Sequence, residues 1–440
     1  MKTPSEKSSF KNIDVSKPHI RYRGERTLSL LERIDKNAVN SFDLLTIIDI
    51  FYAFYLPYPV LRNHEEMKTE SEKERYMFIS NLMSSSTLDS IRKHTIVDIT
   101  TSSVASATFL YKLYASIQKR KPGGRENEQN QTRNFLHEVT QETKRVINKQ
   151  LIEEALRETL NTTERTKEIE YFVSGLSAGT SSVYASEDTA FHVLKLAENT
   201  NVQAILEYLS RIEGFKFPMK KKSYPVSRGE IHGYTVGRDI EEVVPYQYSL
   251  PKLLFMIQYV EGSLLLYDKR IFEEPGSLYV LLDKSGSMVG KKILWAKAVA
   301  LALAKKAVKE HRLFIARFFD SIPYPPVSIS RRVKHKDVIK LLNYIAKTSA
   351  VGGTDITRAI IIASEDIKRR LVKGVSDIIL ITDGEDRIAI EATRRSLLSS
   401  KAKLHTVMVQ GSNPDLKRIS DTYFRVVNLD EKEAIKVIQW

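Results

Sequence analysis

Cysteine is absent from this 440-residue sequence. The chain therefore cannot form disulfide bonds, use a thiolate as a nucleophile or bind zinc through sulfur. The opening segment, MKTPSEKSSFKNIDVSKPHIRYRGERT, also lacks the apolar core of a secretory signal. Both absences fit a reducing compartment, and we expect a cytoplasmic protein.

Long apolar runs are scarce as well. The most apolar stretch, residues 44–61, contains Asp49, Pro57 and Pro59. The two prolines break the stretch where a membrane helix would have to continue. We therefore interpret it as a buried helix and expect no membrane span.

Motifs of nucleotide and hydrolase chemistry are also missing. No Gly-x-x-x-x-Gly-Lys-Ser/Thr sequence occurs, so we expect no ATP binding through a P-loop. The segment GSMVG at residues 286–290 superficially resembles a nucleophile elbow, but Met288 occupies the position of the serine. The nine histidines are scattered along the chain, and we predict no catalytic or zinc-binding role for them.

The charge balance is strongly basic. Lys and Arg number 68 against 54 Asp and Glu, which gives a formal net charge of +14. Such a surface raises the rate of encounter with nucleic acids, acidic lipids or acidic proteins. The hydrophobic fraction of 42% is typical of a globular chain, and the length suggests two or three domains.

Four regions differ in their sequence pattern. Residues 1–38 predict a flexible N-terminus, whereas residues 39–232 predict an α-helical region, because apolar residues recur there at helical spacing. Within that region, residues 119–133 carry no apolar side chain and predict a linker. Residues 233–276 predict a connector of mixed structure, and residues 277–440 predict a separate α/β domain.

The last region alternates short apolar runs with amphipathic segments. The runs SLYVLL, RLFIARFF, DIILIT and KLHTVMVQ predict strands, and helices are predicted between and after them. Strands that alternate with helices over this length favour a Rossmann-like fold, with a mostly parallel sheet and helices on both of its faces.

Polar residues follow the predicted strands at the edge where such sheets bind ligands. Asp283, Ser285 and Ser287 follow the first strand, Thr354 precedes a helix, and Asp383 follows the strand DIILIT. All five offer hard oxygen ligands, which suit Mg²⁺, Mn²⁺ or Ca²⁺ better than a soft metal. We therefore predict a divalent-metal site at these residues, without a catalytic residue or an organic cofactor.

This constellation resembles the metal-ion-dependent adhesion site of von Willebrand factor A (VWA) domains. That family motif is Asp-x-Ser-x-Ser followed by a distant Thr and a distant Asp. The resemblance implies that Ser285 and Ser287 bind the metal directly and that Asp283 usually acts through water. It implies direct or water-mediated binding for Thr354 and Asp383. It also implies that an acidic residue of a protein partner completes the metal shell.

A narrower resemblance begins near residue 233. The segments GRD (237–239), VVP (243–245) and LLLY (264–267) precede the Asp-x-Ser-Gly-Ser-Met motif, which Gly-Gly-Thr-Asp-Ile and Asp-Gly-Glu-Asp follow. This order resembles proteins that join a helical N-terminal region to a C-terminal VWA domain and work with MoxR-type AAA+ ATPases, such as the VWA interactor of the RavA ATPase. Lys284 departs from the family, which more often has Thr there, and its charge could weaken metal binding.

Three functions are compatible with these features. The first is a non-enzymatic adaptor that binds an acidic residue of a partner through the metal and acts with a MoxR-type AAA+ ATPase in chaperone-like or complex-maturation work. The second is an RNA-binding VWA ribonucleoprotein, which the basic charge favours and the lack of a long helical repeat disfavours. The third is a metal-assisted hydrolase, for which no general base is evident. The adaptor is our prediction.

Overall fold

The computed structural model describes residues 7–120, 145–176, 187–213, 223–272, 276–369 and 374–439. Contacts divide the chain into one unit of Met1–Tyr208 with Val333–Thr348 and a second unit of Leu209–Arg332 with Ser349–Trp440. The predicted boundaries at residues 233 and 277 differ from this division. The predicted linker at residues 119–133 lies almost wholly outside the described residues.

Helices make up most of the described chain before Ser223, where the strands begin. The helices are α1 (Pro18–Ile34), α2 (Lys36–Val39), α3 (Leu44–Tyr55), α4 (Glu70–Met83), α5 (Ser86–Thr95), α6 (Ile99–Arg120), α7 (Arg145–Leu176), α8 (Glu187–Ala197), α9 (Thr200–Glu213), α10 (Lys252–Glu261), α11 (Lys291–Lys309), α12 (His335–Lys347), α13 (Ile356–Arg369), α14 (Ile390–Ser400), α15 (Pro414–Ile419) and α16 (Glu431–Ile438). The strands are β1 (Ser223–Gly237), β2 (Leu264–Phe272), β3 (Leu278–Asp283), β4 (Phe314–Phe319), β5 (Val327–Ile329), β6 (Ser376–Thr382), β7 (Ala402–Val409) and β8 (Thr422–Val426). In the described part of the chain, no helix combines the length and apolarity needed to cross a bilayer.

The first helix lies inside the segment predicted to be flexible. Pro18 occupies the start of α1, where its fixed φ suits a helix and no backbone N–H is required. Gly24 lets α1 approach α3 closely, because a Cβ there would lie 2.4 Å from Cγ1 of Ile48. The prediction of a flexible N-terminus over residues 1–38 is therefore wrong for the part that the structure describes, since a buried face anchors α1.

A buried ion pair ties the start of the described chain to the helical core. Asp49 on α3 is fully buried and lies 3.4 Å from Nε of Arg75 on α4. The Ser8 hydroxyl and the Ser9 backbone N–H donate to the same carboxylate at 2.5 and 3.0 Å. Burial raises the pKa of Asp49, while the charge of Arg75 and the two serines oppose that rise.

The connector contains an antiparallel pair of strands, β1 and β2, with α10 between them in the chain. β1 begins inside residues 39–232, so the prediction that this range is helical is wrong from Ser223 onward. The sequence SYPVSRGEIHGYTVG is rich in aromatic and β-branched residues, which favour a pleated strand over a helix. The rings of Tyr234 and Tyr267 face each other across the pair at a centroid distance of 5.8 Å.

The main sheet of the second unit has six strands in the order β5-β4-β3-β6-β7-β8. Neighbouring strands are parallel except for the edge strand β5, which runs antiparallel to β4. Tyr279 and Leu281 of β3 pack in one core with α13, and α11 also contacts β3. The predicted α/β fold with a mostly parallel sheet is confirmed, and its central strand β3 ends at Asp283.

Candidate metal centre

The predicted site residues meet at the carboxyl-terminal edge of the main sheet. β3 ends at Asp283, and Asp383 directly follows β6, its parallel neighbour. The loop after β3 is joined to the loop before α13, because the N–H of Gly286 donates to the carbonyl of Gly352 at 3.0 Å. Three loops that are distant in the sequence thus converge on one point.

Asp283 is fully buried and holds its loop in shape. Its Oδ1 accepts the backbone N–H of Ser285 at 2.8 Å, and its Oδ2 accepts the hydroxyl of Thr382. Burial raises the pKa of Asp283; hydrogen bonds from Thr382 and Ser285 oppose the rise, and the charge of Asp383 adds to it. Replacing Asp283 would therefore disturb the loop as well as any ligand.

A line of side-chain oxygens runs from Ser285 to Asp383. The Oγ atoms of Ser285 and Ser287 lie 3.0 Å apart, and Ser287 Oγ donates to Oδ1 of Asp383 at 2.7 Å. Ser285 and Asp383 are buried, whereas Ser287 is exposed. The line is therefore buried at both ends and reaches the surface at Ser287.

Thr354 lies beside this line of oxygens. A Cβ added to Gly384 would lie 3.0 Å from Cγ2 of Thr354 and 3.6 Å from Oδ2 of Asp283, so both side chains lie close to the same glycine. The structure thus brings the five predicted site residues to one place. Thr354 is half-buried and lies on a separate loop from the other four residues.

The sequence pattern does not single out Lys292, which contacts the same site. Lys292 lies in the first turn of α11 and places Nζ 2.6 Å from Oδ2 of Asp383. One carboxylate oxygen of Asp383 thus accepts a hydrogen bond from Ser287, and the other accepts one from Lys292. The sequence feature that could have pointed to Lys292 is the start of α11 soon after the loop. Gly290 directly precedes this helix and has φ +87°, a conformation that favours glycine.

Lys284, the departure from the family motif, is engaged elsewhere. Its Nζ pairs with Asp320 at 3.1 Å and lies 4.2 Å from the ring centroid of Tyr324. Asp320 also accepts the Tyr324 hydroxyl at 2.8 Å. Gly352, at φ +118°, passes so close that a Cβ would lie 2.9 Å from Oδ2 of Asp320. The Asp320 carboxylate offsets the positive charge that could weaken metal binding.

The donor set of the site is rich in hydroxyl groups. Three of the five predicted ligands are neutral hydroxyls, and two are carboxylates, all of them hard oxygens of the kind that Mg²⁺, Mn²⁺ and Ca²⁺ prefer. Among the residues that the structure describes, no group of three or more His, Asp or Glu side chains is placed to hold a metal ion. The five residues offer donor atoms of the type that a divalent cation accepts.

Comparison with known proteins agrees with this architecture. Residues 261–413 match the family model described as a VWA domain containing CoxE-like protein. The C-terminal region has the fold of a VWA domain. This domain and the helices that precede it in the chain have the fold class predicted from the sequence.

Two proteins of Methanocaldococcus jannaschii are similar to this chain. The first is 26% identical over 275 residues, which cover 60% of this chain and 62% of the relative. The second is 25% identical over 255 residues, which cover 55% of this chain and 63% of the relative. The chain therefore spans somewhat less than two thirds of the length of either relative.

Solved structures that are similar to this chain include a von Willebrand factor type A protein from Catenulispora acidiphila. It is 18% identical, and the aligned part covers 39% of this chain and 42% of that protein at a TM-score of 0.31.

Proposed function

We propose that Asp283, Ser285, Ser287, Thr354 and Asp383 hold a divalent cation, Mg²⁺ or alternatively Mn²⁺ or Ca²⁺. The observation that carries this proposal is the line of oxygens from Ser285 through Ser287 to Asp383, with successive distances of 3.0 and 2.7 Å. Hard oxygens in this arrangement suit a hard cation, and the fully buried Asp283 gains from nearby positive charge.

Different residues of the chain have different roles at this site. Asp283 fixes the loop through its bonds to Ser285 and Thr382, and the two serine hydroxyls add oxygens without adding charge. Lys292 holds the second oxygen of Asp383. A bound divalent cation would supply a positive centre that a carboxylate of a protein partner can ligate.

We further propose that the protein is a non-enzymatic adaptor for a MoxR-type AAA+ ATPase in chaperone-like or complex-maturation work. The CoxE-like match and the order of segments from residue 237 onward support that partnership. An exposed apolar surface supports protein binding, because no residue of α10 is buried and Leu253 and Val260 are 74% and 68% exposed. Apolar surfaces of this kind commonly mark interaction sites.

Association with the ATPase encoded nearest to the gene tests this proposal. The chain is compared as wild type, as Ser287→Ala and as Ser412→Ala, an exposed serine in the loop after β7 that serves as the matched control. We expect wild type and Ser412→Ala to associate in Mg²⁺, and we expect Ser287→Ala or EDTA to weaken that association. No association under any nucleotide condition would refute the partnership. Equal association in all three proteins and in EDTA would refute the role of the metal.

The net charge of +14 supports an alternative, an RNA-binding VWA protein. A gel-shift assay over a range of salt concentrations separates the two functions. RNA binding that persists in EDTA, together with no association between the protein and the ATPase, would favour the RNA-binding function over the adaptor.

A further inference from the structure

Three aliphatic side chains are exposed on the loops around the candidate metal centre. Val289 lies in the loop after β3, Ile322 in the loop after β4, and Val351 in the loop before α13. They are 62%, 54% and 63% exposed, respectively. A single exposed aliphatic side chain is common, but a group of them commonly marks a surface that another protein covers. Neither the predicted metal ligands nor the apolar surface of α10 accounts for this group.

Backbone hydrogen bonds join the three loops into one surface. The N–H of Val351 donates to the carbonyl of Lys284 at 2.7 Å, which ties the loop before α13 to the loop after β3. The N–H of Asp355 donates to the carbonyl of Asp320 at 3.0 Å, which ties the loop before α13 to the loop after β4. Within the loop after β4, the N–H of Asp320 donates to the carbonyl of Ile322 at 3.2 Å. The three aliphatic side chains therefore belong to loops that are directly bonded to one another.

The charged groups that join these loops satisfy each other. Lys284 and Asp320 form an ion pair at 3.1 Å, and both side chains are nearly buried. Tyr324 contacts both of them, since its ring centroid lies 4.2 Å from Nζ of Lys284 and its hydroxyl donates to Asp320. A charged group of a partner would therefore gain little from this pair. An apolar group that covers Ile322 or Val351 would gain from the removal of apolar surface from water.

The exposed Ser287 gives the same surface a polar centre. Ser287 precedes Val289 in the loop after β3. The N–H of Gly286 donates to the carbonyl of Gly352, the residue after Val351. Ser287 therefore lies between the two valines along the bonded loops. A partner segment that brings a carboxylate to Ser287 would place the neighbouring side chains of that segment over the valines.

We propose that this surface docks a segment of a protein partner in which an Asp or Glu is flanked by apolar side chains. The proposal rests on the metal-binding function proposed above, which supplies the contact for the carboxylate. Val289, Ile322 and Val351 supply the contacts for the flanking side chains and so select among acidic segments. A segment whose acidic residue has polar neighbours would bury those polar groups against the three aliphatic side chains and would bind more weakly.

Selection from a library of random dodecapeptides displayed on phage tests the proposal. The full chain is immobilised in Mg²⁺, and the peptides that EDTA releases are sequenced. The most enriched peptide is then synthesised with a fluorescent label, and fluorescence anisotropy measures its Kd in Mg²⁺. The test variant is Val289→Ser with Val351→Ser. The control is Leu398→Ser with Val427→Ser, the same chemical change at exposed aliphatic residues on α14 and after β8.

We expect the released peptides to be enriched in Asp or Glu next to Leu, Ile, Val or Phe. The test variant should bind the peptide at least about tenfold more weakly, because two apolar contacts at the interface are lost. The control should bind the peptide like wild type. Calorimetry should show equal Mn²⁺ affinity in all three proteins, and replacement of the acidic residue of the peptide by its amide should abolish binding.

Enrichment of acidic residues among polar neighbours, or equal losses in the test and control variants, would overturn the docking surface and leave the metal site unaffected. A loss of Mn²⁺ affinity in the test variant would also overturn it, because the valines would then act through the metal site. The same holds if EDTA releases no peptide from a wild-type protein that binds Mn²⁺. Absence of Mn²⁺ binding by wild type would overturn the metal site and the docking surface together.

Discussion

The two units each contain a fully buried aspartate, Asp49 on α3 and Asp283 at the end of β3. Burial raises the pKa of both carboxyl groups. Asp49 is paired with Arg75 at 3.4 Å and accepts two further bonds from the serines that precede α1. Asp283 accepts bonds from neutral groups, the hydroxyls of Thr382 and Ser285 and the backbone N–H of Ser285, and in the described chain no lysine, arginine or histidine forms an ion pair with it.

The difference separates a structural carboxylate from one that suits a ligand. The charge of Asp49 is compensated by a cation of the chain, so the cluster fixes the start of the chain against the helical core. The carboxylate of Asp383 lies near Asp283 and makes the environment of Asp283 more negative. A buried carboxylate without a paired cation gains most from an added positive ion. We infer that the site around Asp49 needs no added ligand and that the site around Asp283 is suited to a divalent cation.

Breaking the Arg75 ion pair should have the largest effect on stability. Arg75→Met leaves the buried Asp49 carboxylate without its cation, so we expect the free energy of unfolding to fall by about 3–5 kcal/mol. Urea denaturation measures this loss, and Mg²⁺ should not restore it. Arg21→Met removes an exposed pair with Glu25 and serves as the control, with an expected loss below about 1 kcal/mol. Equal losses in the two variants would contradict the structural role of Asp49.

A third aspartate, Asp377 in β6, sharpens the comparison because Arg312 and His405 both contact it. Burial alone would raise the pKa of Asp377, but the hydrogen bond from His405 and the charge of Arg312 lower it to about 2. This folded-state pKa lies below the usual value of 3.8, so the unfolded chain binds the proton more readily. The stabilisation is therefore present above about pH 4 and is lost as the pH falls toward 2.

Asp377→Asn should accordingly destabilise the protein by up to about 2 kcal/mol at pH 7 and by much less near pH 2. Denaturant unfolding of wild type and variant at a series of pH values measures the difference. A loss that stays constant across that range would show that the charge of Asp377 does not contribute.

Lys292 offers a way to strengthen the candidate metal centre. Its ammonium group occupies Oδ2 of Asp383, so Lys292→Met removes a cation that competes with a bound metal ion. We expect the variant to bind Mn²⁺ about tenfold more tightly and to be less stable in EDTA than wild type. Lys291→Met, at an exposed position one residue earlier, should change neither property. Unchanged or weaker Mn²⁺ binding by Lys292→Met would show that the lysine does not compete.

Much of the VWA fold and its candidate site follows from periodicity and strand-end residues. Buried strands such as LYVLLD are continuous apolar runs, and ligand-bearing loops of a parallel sheet share one edge. The short elements β5, α15 and β8 escape prediction, because three to six residues carry little periodicity. Helix α1 also escapes, since its mean composition is polar and its packing against α3 and α6 is not visible in the sequence.

Side-chain pairing across the fold is beyond the reach of sequence patterns. Lys292 and Asp383 are separated by 91 residues, and nothing in the local sequence links them. The neutralisation of Lys284 by Asp320 depends likewise on the adjacency of two strands. Such contacts become visible only when the sheet order is known.

Mn²⁺ titration by calorimetry tests the central claim most directly. Wild type is compared with Ser287→Ala and Thr354→Val, which remove one hydroxyl each while leaving the buried Asp283 and its loop bonds intact, and with the control Ser412→Ala. We expect wild type and the control to bind one ion with equal affinity, and we expect each of the other two variants to bind it at least about tenfold more weakly. Equal Mn²⁺ affinity in all four proteins, or no binding by wild type, would contradict the assignment of the metal centre.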